Sequence, residues 1–261
     1  MKAIEFYQKL CEYIPTSLSC EWDKDGLESC PEPDRTVKKV LVALDVTDEV
    51  ISKAADEGFD VILSHHPIFF GSLMGINATL PAGRRAVKLA QNSISVMSFH
   101  TRLDALDGGV NDTLAELLGL ENIKTVDGDK DRIMRIGELK CEMTAEEFCI
   151  SVKKSLSTAD LAGGAGVALL SAGRPVKRVA LIGGSGGDFV EMAATARADT
   201  YVTGDMKYHQ YLSSSDYNMN LVTAGHFFTE YPVCKVLAEK ASSACPEAHV
   251  EIFFSNKIVS L

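Results

Sequence analysis

The sequence predicts an α/β protein made of two similar domains, and three observations carry that expectation. Short apolar runs such as Val40–Leu44, Val61–Leu63 and Ile94–Phe99 alternate with segments of helical spacing, the order that produces parallel strands with helical crossovers. The length of 261 residues suits two domains of about 130 residues better than one oversized core. The segment from Val37-Lys38-Lys39-Val40 to Asp60 and on to His65-His66 also aligns without gaps on Val176-Lys177-Arg178-Val179 to Asp199 and on to Gly204-Asp205, with Ala54-Ala55 on Ala193-Ala194. Two facing three-layer α/β domains, residues 1–125 and 126–261, are therefore expected, with the C-terminal strand able to return to the first domain. The self-similarity is what an internal duplication leaves, and equally what two Rossmann-like units share through their apolar pattern.

The elements come in order. Ile4, Tyr7, Leu10, Cys11 and Ile14 mark an amphipathic helix from Ala3 to Ile14. A loop through Trp22, Asp23, Gly26, Pro31 and Pro33 leads to the strand Val40–Leu44. Thr47 or Asp48 caps a helix from Glu49 to Glu57 that stops at Gly58. The strand Val61–Leu63, a helix over Arg84–Gln91, the strand Ile94–Phe99 and a helix over Val110–Leu118 complete the first run. The middle, Glu121–Pro175, breaks this rhythm with a short strand near Arg135–Leu139, a helix that opens on a Thr144/Glu147 capping box, and a loop at Gly163-Gly164-Ala165-Gly166. The domain boundary is placed there, near residue 125. Beyond it come strands at Val179–Ile182, Tyr201-Val202, Leu221-Val222 and Val250–Phe254.

Composition excludes several classes. Apolar residues at 46% and charged residues at 24% rule out wholesale disorder, collagen and coiled coil. No apolar run reaches the roughly 18 residues of a membrane helix, and Glu5 stands where a secretion signal would be apolar; a cytoplasmic protein with no membrane partner is expected. Seven cysteines without a CxxC pair read as reduced thiols. The formal charge of −10 argues against a nucleic-acid partner, while clustered carboxylates are also what divalent cations bind.

The chemistry lies where strands end. Ligand crevices of parallel sheets open beyond the carboxyl ends of their strands, and four such ends carry His65-His66-Pro67, His100 with Asp104, Thr203-Gly204-Asp205, and Gly225-His226 with Glu230. Adjacent side chains alternate along a regular strand, so His65 and His66 can both enter a crevice only where Pro67 ends the strand. His226 and Glu230, four apart, meet on one helix face. A mixed imidazole and carboxylate set suits Zn, Mn, Fe, Co or Ni rather than Ca or Mg. For any single histidine the ordinary fate is a cap or a satisfied core group; His209, four after Asp205, is as well explained by a surface helix as by a site wall. Gly183–Asp188 lacks the Lys-Ser/Thr ending of a P-loop and favours a tight turn over a phosphate cradle. Trp22 either covers a substrate base or packs against a helix.

Taken together, Trp22-Asp23-x-x-Gly26-Leu27, Leu44-Asp45-x-Thr47, His65-His66-Pro67, His100-Thr101-x-Leu103-Asp104, Gly184-x-Gly186, Thr203-Gly204-Asp205 and Gly225-His226-x-x-Thr229-Glu230 resemble the GTP cyclohydrolase I type 2 homologs, the Nif-three-like metalloproteins. The resemblance runs from Trp22 to Glu230. It implies two α/β domains with a dinuclear metal site at their junction, two divalent ions per chain, and a homo-oligomer in the form of a toroidal hexamer, a trimer of dimers. By matching position it implies His65, His66, Asp104, His226 and Glu230 as ligands, Asp104 and Glu230 contacting both ions, and His100 as a catalytic or neighbouring group. Arg102 stands where the family commonly has Asn, as a cation for an anionic substrate or as the partner of an acid; with Asp205 and His209 it completes the expected substrate-binding residues. The implied activity is hydrolysis of a small nucleotide-like molecule, with GTP ring opening and release of formate, or phosphoester cleavage, as its forms. The alternative is a metal-binding scaffold that forms a ring without turnover.

Overall fold

A computed structural model describes residues 1–71, 75–157, 165–256 and 258. Gly163 and Gly164, expected to form part of a loop, lie outside the described residues. The described strands are β1 (Leu27–Ser29), β2 (Lys39–Ala43), β3 (Val61–Ser64), β4 (Ser95–Ser98), β5 (Leu120–Thr125), β6 (Arg135–Met143), β7 (Ala168–Leu170), β8 (Val176–Ser185), β9 (Thr200–Asp205), β10 (Asn220–Thr223) and β11 (His249–Ile252). They form two sheets in two compact units, one of residues 1–103 with 233–255 and one built on 104–232.

In the first unit the order is β1-β4-β3-β2-β11, with β4, β3, β2 and β11 parallel and β1 antiparallel at one edge. β3 reads Val-Ile-Leu-Ser and is buried at every position, as a parallel strand covered on both faces must be. The helix Asp48–Asp56 starts where the Thr47 hydroxyl accepts the Val50 amide at 3.2 Å and stops before Gly58, whose φ of +70° a side chain would disfavour. It buries Val50, Ile51 and Ala54 against Leu41, Ile62 and Val96 in one apolar cluster, each large side chain stabilising the unit by about 1.5–3 kcal/mol. Register sets the level at which the strands end. Ala43 pairs with Ser64 and Ser64 with Ser98, so Leu44-Asp45, His65-His66 and Phe99-His100 leave the sheet in one row. The His66 amide to the Leu44 carbonyl (3.0 Å) and the Phe99 amide to the Ser64 carbonyl (2.9 Å) extend the ladder into that row.

The second unit has the order β5-β6-β8-β9-β10-β7, with β8, β9 and β10 parallel to one another and antiparallel pairing between β5 and β6, β6 and β8, and β10 and β7. The division expected near residue 125 differs from the observed one, after Leu103. In sequence the helix at Val110 closes the first run, but the strand that follows it, β5, pairs antiparallel with β6 in the second sheet, so the helix Val110–Leu117 and β5 belong to the second unit. The chain then returns through the helix Val233–Ala244 to β11, which lies parallel to β2.

Internally the units repeat one design. Asp60 Oδ2 accepts the amides of Lys38 (2.8 Å) and Lys39 (3.0 Å), and Asp199 Oδ2 accepts those of Lys177 (2.9 Å) and Arg178 (2.7 Å), the positions that align in the sequence. The Phe59 amide bonds to the Ala54 carbonyl as the Ala198 amide does to that of Ala193. The two strand-end histidines that precede an acid by four residues, His100 and His226, do not occupy equivalent positions. Ser64 pairs with Ser98 and Thr203 with Thr223, which equates His100 with Gly225 and places His226 one position later, after a residue with φ +80°. Among the described residues no helix is long and apolar enough to cross a membrane.

Candidate metal centre

Three imidazoles converge in the first unit: His65, His66 and His100 offer nitrogens that all lie within 4.8 Å of one another. His65 and His66 are buried and His100 half-buried. Each ring is pinned at Nδ1. His65 Nδ1 lies 2.9 Å from the Phe99 carbonyl, His66 Nδ1 2.8 Å from Asp45 Oδ1, and His100 Nδ1 3.0 Å from Asp23 Oδ2. A carbonyl or a carboxylate only accepts, so Nδ1 carries the proton on each ring and the lone pair sits on Nε2, the arrangement that metal-binding histidines show. Asp23 also accepts the Thr101 amide (3.0 Å) and hydroxyl (2.6 Å). Burial works to raise this carboxyl, but the bonds from His100 and Thr101 outweigh it and hold it well below the usual range.

The second unit gathers carboxylates around one imidazole. His226 opens the short helix His226–Glu230, with Nδ1 3.1 Å from Asp205 Oδ2 and Nε2 3.1 Å from Glu230 Oε2. Burial opposes charge on His226, yet the two carboxylates raise its pKa to about 9. Asp104, on the helix Thr101–Ala105, offers an oxygen within 4.8 Å of one from Glu230. Buried Asn111 ties these parts together. Its Nδ2 donates to the Asp104 carbonyl (3.2 Å) and its Oδ1 accepts the Gly183 amide (2.8 Å). Gly184 must lack a side chain, because a Cβ there would collide with Glu230 Oε1 and stand 3.1 Å from His226 Nε2. In each unit the donors, three imidazole nitrogens in the first and an imidazole with two carboxylates in the second, are of the kind that borderline divalent ions take.

The remaining expected site residues separate. Arg102 is fully buried. Its Nε donates to Asp25 Oδ2 at 2.9 Å, its terminal nitrogens reach the carbonyls of Ile14 and Ser98 at 3.4 Å, and its guanidinium lies 4.3 Å from the Phe99 ring centroid. Of its two expected roles it fills the pairing with an acid, with its side chain turned inward. Asp205 is exposed and orients His226. His209 is exposed on the helix Tyr208–Asp216 and is not among the residues gathered with His226. In place of the expected tight turn, Gly183–Ser185 end β8 and Gly187–Phe189 form one 3-10 turn; the Gly186 amide donates to the Thr203 hydroxyl (2.9 Å), its carbonyl accepts from the Tyr201 hydroxyl (2.8 Å), and a Cβ at Gly187 would strike Gln210.

Sequence reasoning missed the supports. Asp23 and Asp45 stand inside the quoted motifs, but nothing in those motifs marks them as acceptors for His100 and His66. Asn111 and Glu28, whose carboxylate accepts the amides of Ile68 (2.8 Å) and Phe69 (3.3 Å) just after the histidine pair, give no local signal.

A family model described as Duf34/NIF3 (NGG1p interacting factor 3) matches residues 1–259. A Clostridium perfringens protein named GTP cyclohydrolase 1 type 2 homolog is 32% identical over 261 residues, covering 98% of this chain and 97% of its own. Among solved structures, a Bacillus cereus protein related to NIF3 superposes with a TM-score of 0.89 at 23% identity, covering 100% of this chain and 99% of its own. Reduced HcgD from Methanocaldococcus jannaschii gives 0.81 at 28% identity, covering 97% of each.

Proposed function

Because the chain belongs to the Duf34/NIF3 family, we propose that it is a divalent-metal-dependent hydrolase of a small nucleotide-like substrate, in which His65, His66, Asp104, His226 and Glu230 hold two ions. One observation carries the proposal: each of the three ligand imidazoles is fixed at Nδ1 by an acceptor, the carbonyl of Phe99 or the carboxylate of Asp45 or Asp205. Caps and core histidines have no need of such uniform orientation, whereas ligands do. Ions of this class, when bound, supply Lewis acidity that makes water a nucleophile near neutral pH and offsets charge developing on oxygen.

The chain's own groups divide the remaining work. His100 presents Nε2 as a base, and the ionised Asp23 on its other nitrogen stabilises the imidazolium that forms when a proton is taken up there. Asp45 and the Phe99 carbonyl hold the rings of His66 and His65 in one orientation. Gly184 leaves Glu230 and His226 their positions. Arg102, bound to Asp25, braces the helix that carries Asp104 from inside. Within this reading, opening of a guanine ring with release of formate is the form suggested by the name of the Clostridium relative.

A hydrolysis screen of the metal-replete protein over nucleoside triphosphates, monophosphates and simple phosphoesters, with formate and phosphate assayed separately, tests the proposal. Turnover of at least one compound that ceases on chelation and returns with metal is expected. Firm metal binding with no turnover of any of them would replace the hydrolase by a metal-stabilised scaffold.

A further inference from the structure

We propose that Trp22 and Phe70 form the two walls of a slot that takes a planar heteroaromatic ring, a purine base, beside His100. The function of the slot rests on the hydrolase reading, but the observations behind it are separate. Trp22 is 67% exposed and Phe70 73% exposed, although an indole and a phenyl ring gain most from burial. Both converge on the same imidazole. The Trp22 ring centroid lies 6.1 Å from that of His100 at 78°, and the Phe70 centroid lies 5.8 Å away at 87°. Neither ring is stacked on His100; both meet it edge to face. A single exposed aromatic residue needs no explanation; two that meet one catalytic imidazole from separate loops do. Packing against a helix, one of the two fates open to Trp22 from its sequence, does not agree with its exposure.

Both loops are anchored by partly or fully buried carboxylates next to the rings. Asp23, adjacent to Trp22, accepts from His100 Nδ1 and from the Thr101 amide and hydroxyl. Glu28 accepts the amides of Ile68 and Phe69, immediately before Phe70. The rings are thus presented in place, and a ligand that enters between them orders little that was loose. A flat π system is the ligand that profits from two such faces, since stacking requires only a face and tolerates any base. His100 Nε2 then lies at the edge of the bound ring, where a proton must move during its hydrolysis.

Trp22 is the only tryptophan of the chain, so its emission reports this position alone. The metal-replete protein is titrated with guanosine and, as a ring-free control, with ribose 5-phosphate, exciting at the red edge of the indole band. Saturable quenching by guanosine and none by ribose 5-phosphate is expected. Phe70→Ala, shown by circular dichroism to be folded, should weaken guanosine binding roughly tenfold, and Phe70→Tyr should restore it. Equal responses to both probes, or undiminished guanosine affinity in Phe70→Ala, would overturn the slot. So would a changed assembly mass in Phe70→Ala and Trp22→Phe at unchanged affinity, since the rings would then be a contact between copies. Guanosine binding without hydrolysis of any nucleotide would leave the slot and remove the hydrolase; hydrolysis indifferent to Phe70 would do the reverse.

Discussion

Asp45 Oδ1 lies 2.8 Å from His66 Nδ1, joining residues 21 apart in sequence that leave neighbouring parallel strands at the same level. The carboxylate fixes the ring and makes it a better donor at Nε2. Asp45→Ala should therefore lower the affinity for Zn or Mn by about 10- to 100-fold while the fold persists. A chelator competition titration checks this, and equal affinity in wild type and variant would show that His66 needs no such support.

Asp23 stands in the same relation to His100, which the proposed function makes a proton carrier rather than a ligand. Asp23→Asn should leave the metal content unchanged and reduce turnover by about 100-fold or more, because the amide neither fixes the tautomer nor stabilises the imidazolium. Parallel loss of metal and of turnover would instead make His100 a ligand.

Arg102 and Asp25 form a buried pair, with side chains 0% and 3% exposed. Removing one partner strands the other, so Arg102→Met should cost about 3–5 kcal/mol in urea unfolding. KM for an active substrate should not change in the folded fraction. A stable variant with a raised KM would return Arg102 to the substrate.

Gly184 has φ +64° and faces Glu230. Gly184→Ala adds about 1 kcal/mol of backbone strain and pushes Glu230 aside, so a lower thermal midpoint together with reduced metal content is expected. A fall in the midpoint with full metal content would mean that Glu230 does not bind the ion.

The capping box of the helix Ala145–Leu156 gives a pH dependence apart from the proposed metal ligands. The Glu147 carboxylate accepts the Thr144 amide (2.9 Å) and hydroxyl (3.0 Å), which lowers its pKa below the ordinary 4.5. A carboxyl depressed by folding stabilises the native state above its unfolded value, and that contribution is lost as pH falls through the folded value. Thermal midpoints measured from neutral pH to below 4.5 should show wild type more stable than Glu147→Gln at neutrality and the difference closing in acid. A difference independent of pH would remove the carboxylate from the cap.

The histidines were legible because each comes after a short apolar run, and the end of a parallel strand is where such a sheet places chemistry. His65-His66 after Val61–Leu63 is the plainest instance. Asp23 was not, because the hydrogen bond it makes spans 77 residues and exists only once β4 has been laid beside β1 and its loop. Asn111 reads as an ordinary helix residue until Gly183 packs on it. The observed division falls earlier than the expected one because the helix Val110–Leu117 continues the strand and helix alternation of the first run, and nothing local says that the strand after it, β5, pairs with β6 in the other sheet. Arg102 illustrates a charge whose destination depends wholly on tertiary contacts: sequence left two roles open and burial beside Asp25 chose one.

The most direct test is the metal content of the purified protein by elemental analysis, for wild type, His66→Ala and Glu230→Gln, with hydrolysis measured on the same samples. About two ions of a borderline divalent metal per wild-type chain, fewer in both folded variants, and turnover that falls with metal content is the predicted result. A folded wild-type protein that hydrolyses its substrate undiminished after complete removal of metal would contradict it.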